Sequence, residues 1–144
     1  MSFYNVQNPT SFSIVSDVRK STVQPGKLIR FPATQIFTSA TTLTAEQLVA
    51  GNVILNNGSG ITLTLPSATD LITLLMGPGG FDVSSSDIFS FEAFSIGAGT
   101  LTVAVGTGGS GSNKSVSSGT QKTINLQISI TVSGGSTTYG YTML

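Results

Sequence analysis

The chain has 144 residues, enough for one domain with a substantial core, and it contains no cysteine, histidine or tryptophan. The lack of cysteine and histidine excludes the commonest zinc sites, the nucleophile pairs built on these residues and the most frequent general base. Charged residues make up 8% of the chain, against roughly 25% in an average soluble domain, and the net charge is zero. A low charge content promotes association between protein molecules. The composition therefore favours a subunit that packs against other subunits.

The first forty residues differ from the rest in charge. Positions 1–40 hold four basic residues against one acid, a balance of +3, whereas positions 41–144 hold two lysines against five acids, a balance of −3. We predict that 1–40 is an extended N-terminal arm containing two short strands, "LIRF" and "QIF"; the alternative that these are the first strands of the domain stays open. The basic residues are expected to dock the arm on an acidic protein surface, and they are Arg19, Lys20, Lys27 and Arg30. Four basic residues are a weak bias for a nucleic-acid binder, so nucleic acid is not the expected partner.

The segment "TLTAEQLVAG" predicts a short helix. Thr44 followed by Gln47 is a capping-box pattern, and Gly51 stands where a helix C-terminal cap belongs. The next segments, "NVILN" and "ITLTL", are separated by the turn sequence "NGSG". They predict a β-hairpin over residues 52–65.

The segment "ITLTLPSATDLITLL" changes its period from two to that of a helix. Pro66 ends the strand, and Ser67 with Asp70 forms the cap of a second short helix. This helix is predicted to run to about Met76 and to end at "GPGG".

The segment "DIFSFEAFSI" predicts a strand with apolar residues on both faces. One face holds Phe89, Phe91 and Ala93, and the other holds Ile88, Phe94 and Ile96 together with Glu92. Because an apolar strand face is normally covered, one face is expected in the core and the other against a second layer or a second subunit. Glu92 is expected to have a structural role, and a cation across an interface is its alternative partner.

The remaining third of the chain reads as three strands and a loop. "TLTVAVG", "KTINLQISITV" and "TTYGYTML" predict strands, and "SGGS" predicts the turn between the last two. The middle strand is expected to turn its five aliphatic side chains, Ile124 to Val132, towards the core. The low-complexity stretch 107–119 is predicted to be a mobile loop.

These elements predict an all-β fold. Residues 41–144 are expected to form an antiparallel β-sandwich or jelly roll with two short helices in its connections, preceded by the extended arm 1–40. The glycine-rich segments lack the spacing of a phosphate-binding loop, and the segment from Asp82 to Asp87 lacks the spacing of a calcium loop. We therefore predict no catalytic residue, no metal site and no cofactor, and no apolar run approaches the ~18 residues of a membrane helix. Hydrolysis of carbohydrate by a carboxylate pair is disfavoured because Asp70 and Glu46 have capping positions.

The segments "TLTAEQLVAGNVILNNGSGITLTLPSATDLITLL", "FSFEAFSI" and "GTLTVAVGTGG" resemble a module of virion proteins from large DNA viruses and tailed phages. The resemblance covers about residues 41–144, and such modules are similar to the trimeric jelly rolls of the tumour-necrosis-factor and complement-head type. It implies a homotrimer without catalytic residues, with aromatic side chains along the threefold axis. The residues from which this subunit interface would be drawn are Phe89, Phe91, Phe94, Tyr139 and Tyr141.

The resulting hypothesis is a structural virion protein: a minor capsid, capsid-decoration or fibre subunit located in the virion. It would assemble as a homotrimer, dock through its N-terminal arm on other capsid or tail proteins, and have no contact with membrane. The alternative is a receptor- or glycan-binding fibre head, which should present exposed aromatic side chains in its loops.

Overall fold

A computed structural model describes residues 34–50 and 53–144, and residues 31–144 form one compact unit. The described part contains ten strands and two short helices. The sequence-based expectation of a β-rich fold with two short helices is therefore confirmed. The unit begins before the predicted boundary at residue 41, because the "QIF" segment is a strand of the domain itself.

The strands are β1 (Thr34–Phe37), β2 (Thr41–Thr42), β3 (Val53–Asn56), β4 (Ile61–Thr64), β5 (Ile88–Ser95), β6 (Leu101–Ala104), β7 (Gly109–Gly111), β8 (Lys114–Val116), β9 (Thr120–Ser133) and β10 (Ser136–Met143). The helices are α1 (Ala45–Ala50) and α2 (Ala68–Met76). Six strands have the order β1-β3-β5-β9-β10-β7 in a larger sheet, and four have the order β2-β4-β6-β8 in a smaller sheet. No helix of the described residues is long and apolar enough to cross a membrane.

The first six strands form three successive coils of the chain. In each coil a strand of the larger sheet is followed, after a short turn, by a strand of the smaller sheet. Coils one and two return through α1 and α2, so β1, β3 and β5 run parallel, as do β2, β4 and β6. Strands β8 and β9 then run antiparallel to β6 and β5, and β10 folds back on β9.

This topology corrects the predicted antiparallel jelly roll. Among the described strands, five of the eight pairings are parallel. The predicted hairpin over 52–65 is wrong, because β3 and β4 lie in different sheets and do not pair with each other. The turn of residues 57–60 carries the chain from one sheet to the other, and a sequence pattern of period two does not distinguish that crossing from a reversal.

The turns that connect the two sheets stack on one another. Asn56 is fully buried: its Oδ1 accepts a hydrogen bond from Gly58 N at 2.9 Å, and its Nδ2 donates to Ser59 O at 3.3 Å and to Ser95 Oγ at 3.2 Å. A Cβ atom on Gly97 would collide with the backbone oxygen of Gly58, so the two turns lie closer together than any other residue permits. Polar side-chain bonds and glycine contacts therefore fix the coil register.

Both predicted N-terminal helix caps are confirmed, whereas Gly51, the predicted C-terminal cap of α1, lies outside the described residues. Thr44 and Gln47 form a reciprocal capping box, with Gln47 N donating to Thr44 Oγ1 at 3.1 Å and Thr44 N donating to Gln47 Oε1 at 2.9 Å. Ser67 Oγ accepts from Asp70 N at 3.1 Å, and α2 ends at Met76 before Gly77. These bonds satisfy amide groups that the first helical turn leaves without partners.

One hydrophobic core lies between the two sheets and beneath the helices. It combines residues from the larger sheet with Leu63, Leu101 and Val103 from the smaller sheet and with Leu71 and Ile72 from α2. The two sheets thus share one core.

Two local predictions are wrong. The stretch 107–119 contains β7 and β8 rather than a mobile loop, because Val116, its single aliphatic residue, is buried at 1% exposure beside Leu101. In β9, Ile124, Leu126 and Ile128 are buried as expected, but Val132 is 70% exposed. The end of the β9–β10 hairpin extends beyond β5, whose pairing with β9 stops at Gln127, and so leaves the core.

Candidate assembly surfaces

The predicted interface aromatics fall in three different environments. Phe91 and Tyr141 are 2% and 1% exposed in the core of their own chain, so they have no surface to offer to a second subunit. Phe89 and Tyr139 are half-buried and pack against that core. Phe94 is half-buried but alternates with the buried Ala93 and Ser95, which places it on the opposite side of β5. Of the five residues predicted for the subunit interface, Phe89, Tyr139 and Phe94 therefore remain.

The side of the larger sheet that faces away from the core is here called the outer face. Three apolar positions of this face fall on one line across three parallel strands: Ile36 on β1, the register position of Leu55 on β3, and Phe94 on β5. Ile88, at the start of β5 on the same face, is 50% exposed. Ile36 is 58% exposed, and Ile96, just beyond the end of β5, is 50% exposed. We call Ile36 and Phe94, with the position between them, the apolar row.

The rest of the outer face is polar and nearly uncharged. Ser90 Oγ donates to Asn125 Oδ1 at 2.7 Å, and the hydroxyls of Ser110 and Thr142 lie 2.9 Å apart. Glu92 is the charged residue of this face in the described strands, and its oxygens accept from two neighbours on β9. Those donors are Gln121 Nε2 and Thr123 Oγ1, each at 2.9 Å. The carboxylate is thus held by neutral donors, and the interpretation of Glu92 as a structural residue is consistent with these bonds.

The outward side of the smaller sheet is a ladder of small neutral groups. Thr42 lies in register with Thr64, which pairs with Ala104. Thr62 pairs with Thr102, which pairs with Ser115. Adjacent strands are about 4.8 Å apart, so the hydroxyl and methyl groups form a flat surface without charge.

An apolar cleft opens beside the loop between α2 and β5. It has a volume of about 360 Å³ and is lined by Leu75, Phe81, Val83, Asp87, Ile88, Phe89, Ser90 and Ile128. Phe81 is 60% exposed and Ile88 is 50% exposed. Asp87 Oδ2 accepts from Ser84 N at 2.7 Å, which orients the single carboxylate of the lining.

A second cleft, of about 740 Å³, lies between the N-terminal ends of α1 and α2. Its lining includes Glu46 and Asp70 together with neutral residues such as Thr42, Thr44 and Thr73, and it contains no basic side chain. We call it the acidic cleft. Asp70 Oδ2 accepts a bond from Ser67 Oγ at 2.7 Å, and Glu46 has no hydrogen-bond or ionic partner among the described residues.

The buried hydroxyl of Tyr141 joins the two sheets to the start of α2. It donates to Pro66 O at 3.0 Å and accepts from Gly106 N at 2.9 Å. Burial raises the pKa of Tyr141 above its ordinary value of 10.0, and the bond from Gly106 N offsets part of that rise. Because both oxygen and proton are occupied by backbone groups, the tyrosine has a structural position.

The acidic residues of the described part of the chain lie in different parts of the fold. No three acidic residues there come together in a way that would hold a metal ion. Asp82 and Asp87 belong to the loop beside the apolar cleft, whereas Glu92 lies on the outer face. The predicted docking-arm residues, Arg19, Lys20, Lys27 and Arg30, lie outside the described residues.

Sequence reasoning missed the coil repeat and the clefts. Three similar segments each join a turn of small residues to an alternating Thr-rich strand, and each belongs to a different coil. They are "FTSATTLT", "NNGSGITLTL" and "IGAGTLTVAV". This similarity was the available signal for parallel stacking. Comparison of the chain with protein-family models, with curated proteins and with solved structures gave no match in any of the three.

Proposed function

We propose that this protein is a structural virion subunit that assembles as a homotrimer and docks on neighbouring capsid or tail proteins through its N-terminal arm. The observation that carries the assembly part is the apolar row on a nearly uncharged outer face. Ile36 at 58% exposure and the half-buried Phe94 lie on one register line with a single position between them, on a surface where charged side chains would favour a soluble monomer.

The virion location and the number three come from the sequence resemblance. The jelly-roll part of that resemblance is not retained, because the strands stack in parallel coils. What remains is a two-sheet subunit with neutral outward surfaces, which suits burial between copies because few charges would have to leave water.

The test of assembly is the solution mass by light scattering during size-exclusion chromatography. We expect a mass near three times the 14.8 kDa of the chain. Ile36→Ser combined with Phe94→Ser should shift the protein towards monomer, because the row loses the apolar surface whose burial drives association. Val132→Ser is the matched control, since Val132 is 70% exposed but lies on the β9–β10 hairpin. A wild-type monomer would contradict the proposal.

A receptor- or glycan-binding head is the second candidate function, and Phe81 favours it. This aromatic ring is 60% exposed in a loop at the apolar cleft, beside the carboxylate of Asp87. Exposed aromatic rings provide stacking surfaces for sugar rings and apolar ligands. Retention on immobilised glycans that is lost in Phe81→Ala, from a protein that runs as a monomer, would favour this candidate over assembly.

A further inference from the structure

The basic and acidic side chains of the described residues do not pair with one another. Among residues 34–50 and 53–144, five acids and two lysines are present, and none of them forms an ion pair. Ordinary domains intersperse charges of both signs on their surface. Here the two signs lie on different elements of the fold.

The two basic side chains lie together on the last strands of the coil stack. Lys114 is on β8, the edge strand of the smaller sheet, and Lys122 is near the start of β9. Lys122 Nζ donates to Ser115 O at 2.9 Å, which places its ammonium beside the residue that follows Lys114. We call these residues the lysine pair. Neither strand carries an acid, and the nearby acid is Glu92 on β5, whose carboxylate is held by Gln121 and Thr123 on the outer face.

The acidic cleft lies at the opposite edge of the smaller sheet. Its residues include Thr42 on β2, the other edge strand, and Glu46 on α1, which follows that strand. Three strand spacings of about 4.8 Å separate β2 from β8, so the two edges are about 14 Å apart. This is more than the screening length of about 8 Å at physiological ionic strength, so the two groups do not neutralise each other within one chain.

We propose that the lysine pair of one copy docks at the acidic cleft of the next copy. This inference rests on the proposed self-assembly and names the surfaces that orient it. The occupant of the cleft is a second copy because the charges are complementary. The lysine pair of one copy has two ammonium groups without an ionic partner, and the cleft of the next copy has two carboxylates, Glu46 and Asp70. The cleft volume of about 740 Å³ is sufficient for two lysine side chains.

Contact between two different surfaces of the same chain is heterologous, and it closes into a ring when the rotation between copies permits. A threefold ring uses each lysine pair and each acidic cleft once. The ion pairs determine orientation and association rate, while neutral surfaces such as the apolar row provide the buried area.

The test is a charge exchange followed by light scattering and sedimentation. The cleft variant is Glu46→Lys with Asp70→Asn, because asparagine keeps the oxygen that accepts from Ser67 Oγ. The edge variant is Lys114→Glu with Lys122→Glu. Each should weaken self-association by about tenfold or more, since like charges then meet. Both sets combined in one chain should restore association, because the charges are again complementary.

Asp82→Lys is the matched control for Glu46→Lys. It makes the same change in charge at an exposed acid that lies outside both surfaces, and association should stay at the wild-type level. Urea unfolding checks that every variant is folded. Where a reversal unfolds the chain, Glu46→Gln and Lys114→Gln replace it, and each should reduce the salt dependence of association.

Four results would overturn the inference. Variants that remain trimeric like the wild type would show that assembly uses other surfaces, and the proposed function would stand. If the cleft variant dissociates but the edge variant stays assembled, the cleft binds a cation other than the lysine pair. A combined variant that stays dissociated while Asp82→Lys assembles would exclude the direct pairing. A wild-type monomer would remove the proposed assembly as well.

Discussion

At the scale of single residues, buried polar groups fix how the coils meet. Asn56 and Tyr141 are both buried, and each makes hydrogen bonds to other segments: Asn56 to the hydroxyl of Ser95, and Tyr141 to backbone groups of Pro66 and Gly106. A buried polar group without its partner costs about 1–3 kcal/mol, so these bonds favour one arrangement of the segments over its competitors. The hydroxyl of Tyr141 holds Pro66, which ends β4, and Gly106, which follows β6.

Tyr141→Phe should reduce the free energy of unfolding by about 2 kcal/mol, because Pro66 O and Gly106 N lose their buried partner. Urea unfolding followed by circular dichroism measures the change. Tyr139→Phe is the control, since Tyr139 is half-buried and its hydroxyl has no partner in the described part of the chain. Equal losses in the two variants would contradict the assigned role of the Tyr141 bonds.

The same residue gives a dependence on pH. Because burial raises the folded-state pKa of Tyr141 above 10.0, folding favours the protonated hydroxyl. The stabilising contribution is complete below pH 10 and is lost as the pH rises through the folded-state pKa. Tyr141→Phe should therefore lose less stability above pH 10 than the wild type, and urea midpoints on either side of that pH measure the difference.

At the scale of elements, stacked turns and capped helices determine where each coil begins and ends. The turn after β5 lies directly on the turn after β3, and Gly97 is required because its hydrogen occupies the space in which a Cβ would meet Gly58 O. The helices return the chain to the larger sheet and cover the core with Leu71, Ile72 and Leu75. The parallel order of β1, β3 and β5 follows from these crossings.

Gly97→Ala should destabilise the protein by about 1–3 kcal/mol, because the added methyl group forces the two turns apart. Ala98→Ser adds one atom in the same turn at an exposed position and should change stability little. The urea midpoints of the two variants provide the comparison. If Gly97→Ala has the same urea midpoint as Ala98→Ser, the two turns can move apart without loss of stability.

At the scale of the whole molecule, the boundary of the domain is a measurable quantity. The compact unit starts at residue 31, and β1 forms four residue pairs with β3 at the edge of the larger sheet. Phe37, at the end of β1, packs against the core. A domain cut at residue 41 would lose this strand and expose the surface that Phe37 covers.

A chain that starts at residue 31 should therefore keep the unfolding midpoint of the full protein. A chain that starts at residue 41 should lose about 3 kcal/mol or more, because it lacks a large apolar side chain and the pairing of β1. Urea unfolding of the two truncations, compared with the full chain, distinguishes the boundaries. Equal stability of both truncations would return β1 to the N-terminal arm.

The sequence by itself determined the local features of this protein. The caps at Thr44 and Ser67, the end of α2 at Met76, the Gly-Gly turn before β10 and the strands β3, β4, β5, β6, β9 and β10 follow from hydrogen bonds and periodicities that span a few residues. Such interactions are complete within one segment, so one segment is enough to predict them.

Only the tertiary structure decided which strands pair, in which direction, and which aromatic rings are buried. Alternation of apolar and polar residues shows that a strand has two faces, but it does not identify the neighbouring strands. The sequences of β3 and β4 therefore suggested a hairpin, although the two strands lie in different sheets. The inner face of β5 is buried in a core to which the smaller sheet and α2 also contribute, and this separates Phe91 from Phe94. The separation of the lysine pair from the acidic cleft is likewise a consequence of strand order, since residues distant in sequence become opposite edges of one sheet.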